Sequence, residues 1–513
     1  MIRIMEDSRR YALYTLLLIM IIASFLRIYN INKTPPGLYP DEAMNGNNAS
    51  EALSKGDFKV FYPENNGREG LYIDIQALSI AAFGNRPWAL RIVSSLFGIL
   101  TVLGLYLLAG ELFYAEDEDG MTTPSSRFSA RERIALLSSF LIATSFWHIN
   151  FSRIGFRAIM APAFSVFAVY FFLKAANREK YRLSSVFCGI CLGLGMYSYI
   201  AFRPMPLLIG IIFVCYFITH EENIFRRRLI KLTLITVVTS IIVFAPLGVH
   251  FLKTPRDFFG RTLQISVLGS SSPLEDLGNN IVKTVLMFNS SGDRNWRHNY
   301  KGQPELFWPV GIMFLIGTML ALVQLFRQSR DPAKPSFSRL PALVMFSWLF
   351  LAALPVVISD EGIPHSLRAI LMIPPVFILA ASGGVWLYER LLPGTRFLKI
   401  RKVLLPIFFL LLVFHAYHIY FISWGGNRHT SGAFRQGYVK IGEELNSLPL
   451  AAPKYVIVKA EGVEVRGIPM PAQTVMFITD TFTAAKQRKK NIHYILPDQT
   501  NIIPEGSYVV TLK

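Results

Sequence analysis

The chain has 513 residues, of which 52% are hydrophobic and only 17% charged, and its formal net charge is +18. A soluble protein of this length carries roughly a quarter charged residues, so the composition excludes an ordinary soluble globular protein and points to a polytopic membrane protein. The positive balance needs no nucleic acid to explain it, because Lys and Arg collect in membrane loops and meet anionic headgroups, and no nucleic-acid recognition motif is present.

A helix crossing the bilayer core needs about 20 apolar residues. Runs of that kind fall at 11–29, 88–113, 133–150, 158–176, 184–200, 205–219, 232–251, 306–326, 341–358, 369–388 and 403–423. They make an all-α polytopic module over residues 1–423, with about eleven spans. No small-residue cleavage site follows the first run, which reads as a retained anchor. The connector 30–87 is long for a structureless link and is expected to have a job. Its stretches "DEAMNGNNASEALSKG" and "EGLYIDIQALSIAAFG" space apolar residues like helices, and each ends at a glycine. They predict two amphipathic helices along the membrane surface. Cys188 and Cys191 are spaced CxxC inside an apolar span and Cys215 lies in another, so all read as small packing residues rather than a zinc or disulfide set. A second long loop covers 252–305. The tail 424–513 changes character: "KYVIVKA", "TVMFITD", "HYILP" and "SYVVTLK" are strand-like and "QGYVKIGEELNSL" is helix-like. A small α/β domain outside the membrane is expected there, without a glycine-rich phosphate loop.

Every second loop is basic. Arg3, Arg9 and Arg10 precede the first span, Arg127, Arg131 and Arg133 the third, and Arg178, Lys180 and Arg182 the fifth. Arg226, Arg227, Arg228 and Lys231 precede the seventh, Arg330, Lys334 and Arg339 the ninth, and Arg396, Lys399, Arg401 and Lys402 the eleventh. By the positive-inside rule the N-terminus is cytoplasmic, and the 30–87 loop, the 252–305 loop and the tail are extracytoplasmic. The expectation is a multi-pass protein of the cell membrane.

Polar side chains at the span ends then share one side. Arg27, Arg91, His148, Arg153, Arg157, Arg203, His250, His365 and Arg368 all fall there, with Asp41, Glu42, Arg68 and Glu69 on the first outer loop. Any one arginine could simply snorkel to the headgroups. As a set they are unexpected, because outer loops are poor in Lys and Arg. Converging guanidiniums suit a phosphate or pyrophosphate, and carboxylates beside them suit a general base or a metal. An ion-coupled transporter would instead place ionisable groups near the midplane. The adjacent pair Asp41–Glu42 follows the first span closely. Asp41 fits a base that deprotonates an acceptor hydroxyl, and it equally fits the N-cap of a helix starting near Ala43. Glu42 suits the first helical turn.

These segments resemble the membrane glycosyltransferases of the GT-C fold, and most closely glycosyltransferase family 39, the dolichyl-phosphate-mannose–protein mannosyltransferase group, with the lipid A aminoarabinose transferases as cousins. The resemblance covers roughly residues 10–390 and rests on "YPDEAMNGNNASEAL", on "NGREGLYIDIQALSIAAFGNRPWALRIVSSLFGILTVLGLYLLAGELF" and, more softly, on "WHINFSRIGFRAIMAP", "GMYSYIAFRP", "GDRNWRHNYKGQPELFWPVG" and "PHSLRAILMIPP". It implies a polyprenyl- or dolichyl-phosphate sugar donor, inverting transfer and an extracytoplasmic site. It carries the catalytic acid position onto Asp41, the acidic neighbour onto Glu42 and a site arginine onto Arg91. Arg153, Arg157, Arg203 and Arg368 are assigned to the donor phosphate from their side and chemistry, and Arg68, Glu69, His148 and His365 are further candidates. The 252–305 loop is too short for the β-trefoil insertion of the eukaryotic enzymes, and Glu69-Gly70 stands where many relatives have Lys-Pro or His-Pro. Both departures leave the acceptor open among protein, lipid and glycan. No cofactor is called for; a divalent metal is compatible with the carboxylates, though no ligand set stands out. A lipid-linked-sugar flippase and a ligase using a pyrophosphate-linked donor are the competing readings.

The charge alternation makes a direct prediction. In a cysteine-free background, a cysteine at Ser431 labels with an impermeant thiol reagent from outside only, and one at Ser336 from inside only. The reverse pattern would overturn the topology.

Overall fold

A computed structural model of the chain describes residues 2–114, 128–264, 266–269, 271–326, 339–360, 362–391 and 398–513. The basic-loop residues Arg127, Arg330, Lys334 and Arg396 lie outside the described residues. Helix α1 (Ile2–Ile28) leads into α2 (Pro40–Lys55), a two-residue hairpin of β1 (Phe61–Tyr62) and β2 (Arg68–Glu69), and α3 (Leu71–Phe83). The bundle continues with α4 (Pro87–Leu112), α5 (Ala130–Ala143), α6 (Phe146–Phe151), α7 (Met160–Asn177), α8 (Arg182–Gly195), α9 (Met205–Thr219) and α10 (Asn223–Lys253). After α11 (Pro255–Gln264) and α12 (Pro273–Leu286) come α13 (Trp308–Phe326), α14 (Leu340–Val357), α15 (Ile373–Leu391) and α16 (Leu398–Tyr417). The tail holds α17 (Arg428–Ala433), α18 (Gln436–Ser447), β3 (Lys454–Val458), β4 (Glu464–Val465), β5 (Ile468–Pro469), α19 (Gln473–Thr479), α20 (Ala484–Lys490), β6 (Ile492–Ile495) and β7 (Tyr508–Leu512).

Among the described residues nine helices are long and apolar enough to cross a membrane: α1, α4, α7, α9, α10, α13, α14, α15 and α16, some extended by a turn. The protein is a multi-pass membrane protein. Its long helices expose Leu17, Ile21, Leu234, Ile241, Ile242, Leu410 and Phe414, a density of apolar surface that water would not tolerate but lipid requires. Two expected spans are shorter than anticipated. The 133–150 run divides into α5 and α6 after Ala143, where the Ser145 hydroxyl accepts from the His148 N–H and starts a new helix. The 184–200 run ends as α8 at Gly195, against which the Phe202 ring packs. Both pieces lie among long neighbours, α5 against α1, α4 and α15, and α8 against α7 and α10.

Helices α13 and α15 make the most intimate pair, because glycines let their backbones meet. A Cβ on Gly317 would stand 1.8 Å from the Leu379 carbonyl oxygen, and one on Gly383 would stand 2.0 Å from that of Met313. Small residues at such crossings are the usual means by which helices associate in lipid, where no hydrophobic drive pushes them together.

The tail forms the expected α/β unit. Strands β6, β3 and β7 make a parallel sheet in that spatial order. The stretch "TVMFITD" departs from expectation: it is helix α19, buried through Gln473–Phe477 and Thr479. Short apolar runs do not reveal their period, and this one is decided by packing between α18 and α2. That packing also involves helix α2, which has the predicted length and ends at Gly56 in the left-handed region. It is buried nearly all round, under α19 and against α3. Arg466 Nη2 adds a clasp from the tail, 2.6 Å from Glu51 and 3.0 Å from Glu64.

Replacing Gly383 by Ala forces α13 and α15 apart, and overpacking of this kind costs about 1–3 kcal/mol. Its thermal midpoint in detergent falls by several degrees, while Gly210→Ala, where a Cβ meets nothing within 4 Å, melts like the parent.

Candidate active site

The site is built on the first turn of α2. Tyr39 is the N-cap, Pro40 opens the helix, and Asp41 and Glu42 follow. Asp41 is therefore inside the first turn and is not the cap. Successive helical residues point about 100° apart, so the two carboxylates meet different surroundings. Glu42 is fully buried. Its Oε2 is 2.9 Å from Arg91 Nε and accepts the Gly155 N–H at 2.7 Å, and its Oε1 accepts from Arg91 Nη2 at 3.1 Å and from the Tyr39 N–H at 3.3 Å. Arg91 spends its remaining reach on the carbonyls of Pro35 and Gly37, each at 2.7 Å. Gly37 has φ 78°, and a Cβ there would collide with the Phe434 carbonyl at 2.4 Å, so the strand-like turn after α1 is pinned between Arg91 and the tail.

Asp41 faces the other way, half-buried, with Asn65 Nδ2 donating to it at 2.7 Å. It shares a helix face with Asn45 and Asn48, and both of these accept from Arg68, Asn45 at 2.6 Å from Nη1 and Asn48 from Nη2. Burial pushes the Arg68 guanidinium down to about 10, its neighbour Arg157 adds to this, and Asp41 opposes it. Arg157 Nε is 2.8 Å from Glu69 Oε2. Arg203 donates to the Phe258 carbonyl at 2.7 Å and lies over the Phe258 ring, within electrostatic reach of Glu69 and Arg157. On the other flank Arg297 lies 3.9 Å over the Tyr39 ring. Burial, then Asp41, push the Tyr39 hydroxyl up, against the pull of Arg297 and Arg435.

The arginines singled out in the sequence thus divide by their partners. Arg68, Arg157 and Arg203 gather with Asp41 and Glu69. Arg91 is 1% exposed and occupied by Glu42 and backbone carbonyls. Arg153 is buried, donating to the carbonyls of Leu26 at 3.2 Å and Thr34 at 2.8 Å beneath the rings of Tyr420 and Phe421. His148 is buried 2.7 Å from Arg27 Nη2, whose guanidinium also ties the carbonyls of Ala23, Ile142 and Ala143. Arg91, Arg153 and His148 are thus enclosed in the bundle, their side chains meeting Glu42, backbone carbonyls and Arg27 respectively. Arg368 hydrogen-bonds Ser359 at the head of α15, apart from the Asp41 group.

Sequence reasoning missed Asn45, Asn48, Asn65, Tyr39 and Arg297. The signal was there for two of them: Asp41, Asn45 and Asn48 recur at helical spacing in "DEAMNGNN". It also missed a ligating trio. Asp293, His298 and the expected candidate His365 place one donor atom each within 4.8 Å of one another. Burial pushes the Asp293 carboxyl up, but the His298 hydrogen bond and the charges of His298 and His365 outweigh it and leave it below the usual range. Beside it, burial pushes Glu305 up to about 8. A cavity of about 540 Å³ opens on the far side of Glu305, between Phe146, Phe307, Phe377, Leu412 and His415, and does not reach Asp41.

A multi-pass helical bundle with a carboxylate and guanidinium group on the loop after its first span has the architecture of the GT-C membrane glycosyltransferases. Residues 125–250, from before α5 to the last turn of α10, match the family model described as dolichyl-phosphate-mannose-protein mannosyltransferase. No curated protein sequence matches the chain. Among solved structures it is similar to ArnT from Cupriavidus metallidurans bound to undecaprenyl phosphate, at 14% identity and a TM-score of 0.54, covering 96% of this chain and 92% of that one. It is also similar to the oligosaccharyltransferase AglB from Archaeoglobus fulgidus, solved with an inhibitory peptide and a dolichol-phosphate, at 13% identity and a TM-score of 0.53. That likeness covers 92% of this chain, which spans 64% of the length of AglB.

The ion pair makes a prediction opposite to what adjacency suggests. Glu42→Gln strands Arg91 in the interior, and breaking a buried pair costs about 3–5 kcal/mol; its melting midpoint drops steeply. Asp41→Asn keeps the Asn65 contact and melts like the parent. Equal melting of the two variants would show that Glu42 does not carry the loop.

Proposed function

We propose that the protein transfers a sugar from a polyprenyl-phosphate donor to an acceptor hydroxyl at the extracytoplasmic face of the cell membrane. The observation that carries this reading is the contrast within the Asp41–Glu42 pair. Glu42 is neutralised by Arg91, whereas Asp41 is half-buried, has among the described residues a single side-chain hydrogen bond, from Asn65, and stands in the field of Arg68. A carboxylate so held is free to accept a proton. In the proposed step Asp41 takes the proton of the acceptor hydroxyl as that oxygen attacks the anomeric carbon. The bond from that carbon to the phosphate oxygen breaks, the polyprenyl phosphate departs with the bonding pair, and the configuration inverts. Cations near the leaving oxygen stabilise its developing charge. Arg157 and Arg203 suit that task, Arg157 being oriented by Glu69; Arg68 is more deeply engaged with Asn45 and Asn48 and suits fixing the electrostatics of Asp41. Arg91 and Arg153 are proposed to hold the loop rather than the phosphate. The two solved structures of similar fold were each obtained with a polyprenyl-type phosphate, which supports the donor class.

The test is single-turnover transfer from a labelled polyprenyl-phosphate sugar in detergent, where a flippase has no second compartment. The parent transfers label; Asp41→Asn loses on the order of 10²–10⁴-fold in rate, the usual worth of a general base, at unchanged melting. Arg157→Lys keeps the charge but loses the planar fork, and weakens donor affinity. Parental rates for Asp41→Asn would remove Asp41 from the chemistry.

A further inference from the structure

The Asp293, His298 and His365 trio lies where the loop before α13 meets the segment leading into α15. Asp293 and His298 are each 3% exposed. His298 Nδ1 is 2.8 Å from Asp293 Oδ2, and the rings of His298 and His365 lie 4.8 Å apart with a tilt of 39°. Nitrogen and oxygen ligands sit about 2.0–2.2 Å from a zinc ion, so two of them on one ion are roughly 3 Å apart. The Asp293–His298 separation already has that value, and the third ligand needs to swing inward by about an ångström or so to complete the face. The carboxylate is aimed by other groups: the Ser366 N–H donates to Oδ2 at 2.9 Å and the Asn295 N–H to Oδ1 at 2.8 Å. Glu305 braces the same assembly, accepting from the Asp293 N–H at 3.3 Å and the Ser366 hydroxyl at 2.5 Å. Its other oxygen is buried with no hydrogen-bond partner among the described residues. Outer groups that orient a ligating carboxylate are the usual companions of a metal site.

We propose that Asp293, His298 and His365 bind one transition-metal dication, zinc by their chemistry. Two imidazoles and one carboxylate suit a borderline ion, whereas calcium and magnesium take oxygen ligands. The ion joins the 287–307 loop to the segment leading into α15, which Ser366 also ties to Asp293 and Glu305. Arg297, next to His298, is the residue that lies over Tyr39 beside Asp41, and Asn150 Nδ2 holds the carbonyls of Arg297 and His298 at 2.7 and 3.0 Å. The ion therefore positions Arg297 at the edge of the Asp41 site. This last consequence rests on the proposed role of Asp41; the ion site itself does not.

The experiment uses the full chain purified in detergent, stripped with a chelator, loaded with zinc alone and desalted. Elemental analysis is expected to find about one zinc per chain in the parent, and loading is expected to raise its melting midpoint. Asp293→Asn and His365→Gln retain at least about tenfold less zinc and show no such rise, while Asp41→Asn retains the parental amount. Cobalt in place of zinc gives the visible absorption bands of a nitrogen-ligated ion in the parent. That spectrum decides the matter if the variants fail to fold. Zinc far below one per chain with no cobalt bands in the folded parent, equal zinc in the trio variants, or loss of zinc in Asp41→Asn would each overturn the proposal. None of these readouts depends on transfer, so failure of the glycosyltransferase reading would appear separately, in the Asp41→Asn rate.

Discussion

The buried pair of Glu42 and Arg91 is the constraint on which the rest of the site depends. An ion pair taken out of water is costly unless its remaining donors and acceptors are satisfied. Here they are: Glu42 also accepts the N–H groups of Tyr39 and Gly155, and Arg91 also reaches the carbonyls of Pro35 and Gly37. One pair thereby joins α4, the turn after α1, the first turn of α2 and the segment before α7. With Glu42 locked inward, the helical step of about 100° turns Asp41 outward. Two adjacent carboxylates, chemically alike, come to serve opposite ends. One is neutralised to hold a loop, and the other keeps a free face.

The arginines repeat that division on a larger scale. In a low-dielectric interior a guanidinium must find five hydrogen-bond acceptors or leave donors stranded. Arg27 and Arg153 take helix-end carbonyls, which are the acceptors an α-helix leaves unpaired at its C-terminus; Leu26, Ile142 and Ala143 supply them. These residues are expensive to bury and correspondingly strong as cross-links between helices that lipid does not press together. Near Asp41 the partners are mixed: Arg157 reaches the Glu69 carboxylate, Arg68 two asparagine side chains and the Glu64 carbonyl, and Arg203 the Phe258 carbonyl. Side-chain partners can rearrange around an anion, and backbone carbonyls of a packed helix cannot.

The tail completes this arrangement rather than standing apart. Helix α19 covers α2, with the Phe477 ring against Gly46; Asn47 Nδ2 reaches the Gln473 carbonyl at 3.1 Å, and the Thr474 hydroxyl reaches the Leu38 carbonyl at 3.0 Å. The α/β unit thus presses on the back of the helix whose front carries Asp41. It also brings Arg435, whose charge acts on the Tyr39 hydroxyl.

Much of this was determined by the sequence alone. Apolar runs, loop charges and the lengths of α2 and α3 follow from local rules: the bilayer needs a certain length of apolar helix, and glycine ends helices cheaply in the left-handed region. The fold class and the importance of the 30–87 loop were legible for that reason, as was the candidacy of Asp41. Tertiary structure decided what local rules cannot. Whether "TVMFITD" is strand or helix depends on what packs around it. What an arginine meets depends on what the fold brings within reach: Arg91 meets Glu42 and the carbonyls of Pro35 and Gly37, whereas Arg203 meets the carbonyl and ring of Phe258. The trio of Asp293, His298 and His365 is assembled from two segments that only the fold brings together. In each case the deciding quantity is a distance between residues far apart in the chain, and no pattern within one segment encodes it.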